Sequence, residues 1–215
     1  MLKHTAILGA GGHAKVLAYV LGLTGFQIVG FTDDNPSLQG TKILGYPVVG
    51  SNERIPELAI EGAIVGIGDN RWREVWYRRL LAWGVPAVNA IHPSVVLAQG
   101  VVLGQGVAVL ANASVNVDAS IGSNVILNTA SVVGHDCHVG DHAHVGPGVL
   151  LCGSVRIGRG ACLGAGATVI PNCVVGEGSI VGAGTVVLED VPDHVVVVGN
   201  PGRIIRRADE RVPLA

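Results

Sequence analysis

The sequence predicts a chain in two parts: a small α/β domain of Rossmann-like type over residues 1–88, then a left-handed parallel β-helix over residues 89–215 that ends in a short C-terminal tail. Three observations predict this. A strand, a glycine turn and a helix follow one another near the N-terminus. From Ile91 to Val187 an aliphatic residue recurs every six positions without a break. The composition is 49% hydrophobic but only 4% aromatic, with 32 glycines in 215 residues. Narrow interior layers of small aliphatics suit that composition better than a compact mixed core does.

Thr5, Ala6, Ile7 and Leu8 read as a short buried strand, and Gly9, Ala10, Gly11, Gly12 and His13 as a tight turn. Positions 14–23 have helical composition and periodicity. A second strand over 27–32 ends in Asp33, Asp34, Asn35 and Pro36, and a third over 63–67 is followed by Gly68, Asp69 and Asn70. Residues 71–83 read as an amphipathic helix with Trp72, Val75, Trp76 and Leu80 near one face. Two or three βα units of this length make a truncated Rossmann-like domain.

Every sixth residue from Ile91 onward, through Val115, Val133, Leu151 and Val169 to Val187, is aliphatic, seventeen in all. Four places after each stands Val, Ala, Ser, Cys or Thr, and Gly often follows directly. One large and one small inward residue per hexapeptide fill a triangular prism, with one hexapeptide on each side. Three hexapeptides close a coil, so residues 18 apart stack at roughly the 4.8 Å spacing of neighbouring strands. Residues 91–192 make about 5.7 coils. Known hexapeptide prisms coil left-handedly, an exception to the usual crossover rule. Val195, Val196, Val197 and Val198 leave the repeat, and a basic tail with Arg203, Arg206 and Arg207 follows.

A net charge of −2 gives no sign of nucleic-acid or membrane binding. Mean hydropathy is positive, yet Gly, Asn, Asp or His breaks every apolar run well short of 18 residues. Met1 to His4 lead straight into a strand, so no signal peptide is expected. Cys137, Cys152, Cys162 and Cys173 form neither a CxxC pair nor a secreted disulfide framework, which points to a reduced, cytoplasmic protein.

Two features carry chemistry. A glycine turn between strand and helix presents backbone N–H groups and a helix N-terminus to phosphates. The turn departs from the dinucleotide pattern GxGxxG because Ala14 takes its last place, and the short domain argues against a full NAD site. The second feature is a cluster: His135, His138, His142 and His144 are four of the eight histidines and fall within ten residues. A prism wall normally shows small or polar residues, so such a cluster needs a reason; for a single histidine a solvated turn would suffice.

The chain resembles the bacterial β-helix acetyltransferases that act on nucleotide-linked amino sugars or on sialic acid. The likeness runs nearly end to end. It rests on Gly9 to Val16, on Asp33 and Asp34, on Gly66 to Asn70, on Ile91, His92 and Pro93, on Leu127, Asn128 and Thr129, and on Val133 to Cys137. The repeat alone identifies only the fold; the glycine–His turn together with Gly134, His135, Asp136 and Cys137 is far more specific.

The resemblance implies an N-acetyltransferase that moves acetyl from acetyl-CoA, its co-substrate, to the amine of a 4-amino-4,6-dideoxy sugar on GDP (as in GDP-perosamine) or UDP, in lipopolysaccharide O-antigen or related glycan synthesis. His135 matches the family's general base; a neutral imidazole, titrating near about 6.5, can take a proton from the attacking amine. Asp136 matches the acidic neighbour that orients it, usually Glu, and is one methylene shorter. Gly153, 18 residues on and so one coil further, lets a thioester approach the backbone and offers its N–H to the oxyanion. His144 matches a histidine near the thioester. Gly164–Ala165 and Gly182–Ala183, also 18 apart, resemble the smooth groove of the pantetheine arm, and Arg203 is suited to the CoA phosphates. On the nucleotide side stand Gly11, Gly12, His13, Asp33 and Asp34, with Asn128 a substrate contact. Family members are homotrimers with sites between subunits. No metal is expected. Cys137 occupies an inward position and is not a nucleophile, and His138 and His142 read as surface residues.

Three alternatives remain open at this stage. A sialic acid O-acetyltransferase would use the same base on a hydroxyl. A β-helix carbonic anhydrase would hold zinc on histidines of two subunits, although it has no use for the glycine–His domain. A non-catalytic sugar-nucleotide binder would have no use for His135 and Gly153.

Overall fold

The computed structural model of the chain describes residues 3–208. It divides into two compact units, one built from residues up to Pro93 with 105–108, the other from 94–104 and from Val109 onward.

The first unit is an α/β sandwich. Strands β1 (His4–Leu8) and β2 (Gln27–Thr32) flank helix α1 (Gly12–Leu23) in the chain. A small antiparallel hairpin, β3 (Lys42–Ile43) and β4 (Tyr46–Pro47), and a 3-10 helix (Asn52–Glu57) lead to β5 (Gly62–Val65) and helix α2 (Asn70–Ala82). The three main strands are parallel in the order β2-β1-β5. With β1 central, the glycine turn opens at the middle of the sheet's carboxyl edge, where α/β sheets bind ligands.

Helix α1 buries Ala14, Leu17, Ala18 and Leu21, the one-sided spacing of an amphipathic helix. Ala14 is fully buried, and a methyl group on Gly66 would lie 2.7 Å from its Cβ. Alanine can therefore stand in the last place of the glycine pattern because its partner, just past the end of β5, is the glycine. Helix α2 corrects the sequence reading. Its buried face is Arg73, Trp76, Tyr77 and Leu80, whereas Trp72 and Val75 are exposed. The face is turned because the Arg73 guanidinium goes inward and donates to the carbonyl of Gly68 at 3.0 Å. Hydropathy alone assigns an arginine to the solvent side.

The second unit is the hexapeptide prism. One side carries 96–97, 114–115, 132–133, 150–151, 168–169 and 186–187. The next carries 102–103, 120–121, 138–139, 156–157 and 174–175, and the third includes 126–127, 144–145, 162–163 and 180–181. All pairings are parallel with an offset of 18, such as Val133 with Leu151 and His144 with Cys162. The inward residues, among them Val133, Val139, Val145, Leu151 and Val169, are fully buried. Corners repeat one conformation: Asn124, Ala130, Asp136, His142 and Ser154 all take the left-handed region with φ between 56° and 61°.

Val195–Val198 breaks the six-residue period but does not leave the prism. It pairs in parallel with Ile180–Val181, and Arg203–Arg207 folds back antiparallel on it. The arginines expected on a tail therefore sit on a strand. Among the described residues, no helix is long and apolar enough to cross a membrane.

Candidate active site

The carboxyl edge of the β2-β1-β5 sheet forms a cleft of about 450 Å³, lined by Gly9, Gly11, Gly12, His13, Asp33, Asp34, Asn52, Gly66 to Gly68, Trp72 and Trp76. Helix α1 begins there with Gly11 at its N-cap, with no side-chain cap and no acidic residue in its first turn. That helix end is set up for an anion, since first-turn N–H groups and the helix dipole both favour negative charge. Asp33 and Asp34 line the cleft but also tie it together. Asp33 accepts from Ala10 N at 2.8 Å and from Asn35 N at 2.9 Å, so it staples the glycine turn to the end of β2. Asp34 accepts from Asn52 N at 2.9 Å and Nδ2 at 3.2 Å. Asn52, 3% exposed, in turn accepts from Thr32 Oγ1 at 2.7 Å. Sequence reasoning missed Asn52, because its 18-residue separation from Asp34 lies across an irregular stretch with no motif of its own.

The second cluster is a corner of the prism. His135 and Gly153 occupy the same corner position in consecutive coils, linked by Ser154 N donating to His135 O at 2.8 Å. The imidazole lies on Gly153: a Cβ placed there would be 2.4 Å from Nε2 and 2.5 Å from Cε1. Nδ1 of His135 is 2.7 Å from Oδ2 of Asp136. A carboxylate can only accept, so Nδ1 carries the hydrogen, and in the neutral imidazole Nε2 presents its lone pair. The shorter aspartate reaches because its backbone is left-handed, with φ 57°, a conformation that Asp adopts more readily than most residues. The Gly153 N–H meets no acceptor among the described residues. Two coils earlier in the same column, Val117 N donates to Asn116 Oδ1 at 3.0 Å. The corner therefore holds a proton acceptor beside an open N–H donor, the two groups that acyl transfer to an amine requires.

Asn128 and His144 belong elsewhere on the prism. Asn128 Oδ1 accepts from Thr129 N at 2.8 Å, which directs its Nδ2 to His144 Nε2 at 3.1 Å. In that arrangement Nε2 accepts and His144 is the Nδ1–H tautomer. The adjoining corner stacks Gly146, Pro147 and Gly148 below Gly164, Ala165 and Gly166, and those below Gly182, Ala183 and Gly184. Ala165 and Ala183 are exposed, so the corner is a smooth strip. Its glycines are also structural: a Cβ on Gly164 would stand 2.6 Å from Ala183 N. The coil of Gly146 and Pro147 extends the strip by one turn beyond the two glycine runs that sequence reasoning picked out.

In one chain the structure therefore groups His135, Asp136 and Gly153 at one corner. It groups Asn128, His144 and the smooth strip near another, with the side that carries 132–133 and 150–151 between them. Arg203 is exposed and lines a separate cleft with Glu189 and Asp190. His138 is exposed and lies 2.9 Å from Ser120 Oγ through Nδ1. His142 corrects the expectation of a surface residue: it is 4% exposed, with Nδ1 2.7 Å from Nδ2 of Asn124, itself 1% exposed. Stacking of two left-handed corners 18 residues apart turns these polar side chains toward each other. Burial raises the Cys137 thiol above its ordinary value, and its Sγ donates to Cys152 O at 3.0 Å. Among the described residues, no three of His, Cys, Asp and Glu converge as a metal-binding group.

A hexapeptide prism with a histidine–glycine corner, joined to an α/β unit with a glycine turn at a helix N-terminus, defines a class of acyltransferase. Comparison with known proteins specifies the family. Residues 5–80 match the PglD N-terminal domain, and residues 118–153 and 154–189 match the bacterial transferase hexapeptide (six repeats). A search of curated proteins finds no match. Among solved structures, perosamine N-acetyltransferase (PerB) of Caulobacter crescentus, in complex with CoA and GDP-perosamine, is 42% identical with a TM-score of 0.90, over 95% of this chain and 98% of that one. The acetyltransferase domain of PglB from Neisseria gonorrhoeae, in complex with acetyl coenzyme A, is 34% identical with a TM-score of 0.90, over 95% and 100%. WeeI from Acinetobacter baumannii is 29% identical with a TM-score of 0.86, over 94% and 99%. The chain belongs to the family of left-handed β-helix, hexapeptide-repeat sugar acetyltransferases, and it is an acetyltransferase.

Proposed function

We propose that the chain transfers acetyl from acetyl-CoA to the amine of a 4-amino-4,6-dideoxy sugar carried on GDP or UDP, with GDP-perosamine the first substrate to try. The observation that carries the reading is the corner where His135 Nε2 presents its lone pair against Gly153 while Nδ1 is held by Asp136. The neutral amine attacks the thioester carbonyl carbon, and Nε2 of His135 takes the proton that the nitrogen sheds. The carbonyl oxygen becomes an oxyanion, stabilised by the Gly153 N–H. Collapse breaks the C–S bond, and the CoA sulfur leaves with the proton returned from the imidazolium. The products are an N-acetyl sugar and free CoA thiol, with no covalent acyl-enzyme.

The glycine turn and the N-terminus of α1 would hold the diphosphate, with Asp33 and Asp34 lining the same cleft. The pantetheine arm would lie on the strip of Gly164–Ala165 and Gly182–Ala183, near His144 and Asn128, with Arg203 toward the CoA phosphates. Since that strip and His135 lie on different corners of one prism, the arrangement fits a homotrimer in which one protomer supplies the base and its neighbour the strip.

The test is release of free thiol from acetyl-CoA with GDP- and UDP-linked 4-amino-4,6-dideoxy sugars, with free sialic acid as comparison. Turnover with one nucleotide sugar is expected and names the substrate. Turnover with sialic acid alone would replace N-acetylation by O-acetylation.

A further inference from the structure

Neither the packing of the α/β unit nor the chemistry above accounts for Trp72. It stands in the first turn of α2, where its backbone N–H donates to Asp69 Oδ1 at 3.0 Å. It lines the cleft, yet the residue is 63% exposed. The helix packs through Arg73, Trp76, Tyr77 and Leu80 and does not need an indole there.

Trp76, four residues on and so on the same side of the helix, also lines the cleft but is only 8% exposed. It is fixed by the Arg79 guanidinium, 4.9 Å from its ring centroid, and by Trp83 at 6.3 Å. Trp76 is thus part of the wall, and Trp72 is a flat ring at the rim.

The strand order decides which end of a ligand meets it. With β1 central, Asp33 and Asp34 follow β2 on one flank of the glycine turn, and Trp72 follows β5 on the other. On the β2 flank all four carboxylate oxygens already accept a protein N–H. The β5 flank offers an aromatic plane, 63% exposed and with no ring or cation contact among the described residues.

We propose that Trp72 is the stacking platform for the nucleobase, and that base affinity resides on the β5 flank rather than on Asp33 and Asp34. The inference rests on the reading that the cleft holds a nucleoside diphosphate. The amine reacts at His135, a residue of the β-helix unit, so the nucleotide is the portion the α/β unit retains. An indole stacks on purine and pyrimidine alike, because every base offers a π face. A cleft of about 450 Å³ is of the size that takes a small ligand of this kind.

The test is calorimetric titration of the full chain and of Trp72→Ala and Trp72→Phe with GDP and with UDP, beside steady-state kinetics. The unaltered chain is expected to bind at least one nucleotide, and Trp72→Ala to bind it about tenfold more weakly, with Trp72→Phe recovering most of the loss. The KM for acetyl-CoA and the melting temperature should not move, since the side chain is exposed. Equal nucleotide affinity in Trp72→Ala and the unaltered chain would overturn the proposal. So would a raised KM for the nucleotide sugar with unchanged nucleotide affinity, which would place the hexose on the ring. Failure of the unaltered chain to bind either nucleotide would instead remove the reading of the cleft, and the platform with it.

Discussion

Replacing Gly153 by alanine adds one methyl group at the centre of the candidate site and changes little else. Gly153 lacks a positive φ, so an alanine backbone fits without strain. The new Cβ would lie 2.4 Å from Nε2, 2.5 Å from Cε1 and 3.1 Å from Cδ2 of His135, all on the imidazole ring. Something must move by about an ångström. The His135 side chain is 58% exposed and can swing into solvent, which the backbone cannot do. Fold stability should therefore fall by less than about 1 kcal/mol, as for an exposed rearrangement. Swinging out breaks the 2.7 Å contact with Asp136 and carries Nε2 away from the reacting amine. Alanine keeps the N–H, so the proposed oxyanion donor survives and the loss is mainly that of the proposed base. General acid–base catalysis is worth about 10² to 10⁴, so kcat should drop by roughly 10²-fold or more. Thiol release from acetyl-CoA measures the rate, and a thermal melt measures the fold. Full activity in a folded Gly153→Ala protein would refute the idea that His135 works from its seat on this glycine.

Further predictions follow from other contacts. Asp136→Asn keeps the left-handed corner and an acceptor for Nδ1–H but removes the charge facing the imidazolium; kcat should fall about tenfold with an unchanged melt. Ser131 is fully buried and its hydroxyl has no hydrogen-bond partner among the described residues, so Ser131→Ala should stabilise the prism by about 1 kcal/mol, read as a higher denaturant midpoint. Burial raises the Cys137 thiol from its ordinary 9.0. Its folded value exceeds its unfolded one, so the thiol form's contribution is complete below about pH 9 and is lost as pH rises through the folded value. Relative to Cys137→Ala, the unaltered chain should therefore lose denaturant stability only above about pH 9.

The prism was legible because its physics is periodic. One large and one small inward residue in every six repeat through the whole second unit, and Val133, Leu151 and Val169 are buried as the period requires. The stacking of Gly153 on His135 was legible for the same reason, since 18 residues make one coil, whereas His135 and Asp136 were singled out by the resemblance to the family. What the sequence concealed depends on contacts without a period. Arg73 lies inside α2 because carbonyls of the preceding loop receive its guanidinium, while Trp72 and Val75, apolar by type, stand outside. Asn52 bridges Thr32 and Asp34 from an irregular segment. His142 is buried because a second left-handed corner, at Asn124, meets it from the adjacent coil. The closing strand keeps its place in the sheet through a pairing offset of 16, with Val196 opposite Ile180, which a search at six-residue intervals passes over.

The central claim is that His135 is the proton acceptor for acetyl transfer, and one variant tests it most directly. His135→Asn keeps a polar side chain on an exposed corner, so the fold and both substrate affinities should be retained. The measurement is the single-turnover rate of thiol release at saturating acetyl-CoA and nucleotide amino sugar. The account predicts a fall of about 10² to 10⁴ with unchanged binding of both substrates. A single-turnover rate within a few-fold of the unaltered chain would contradict it.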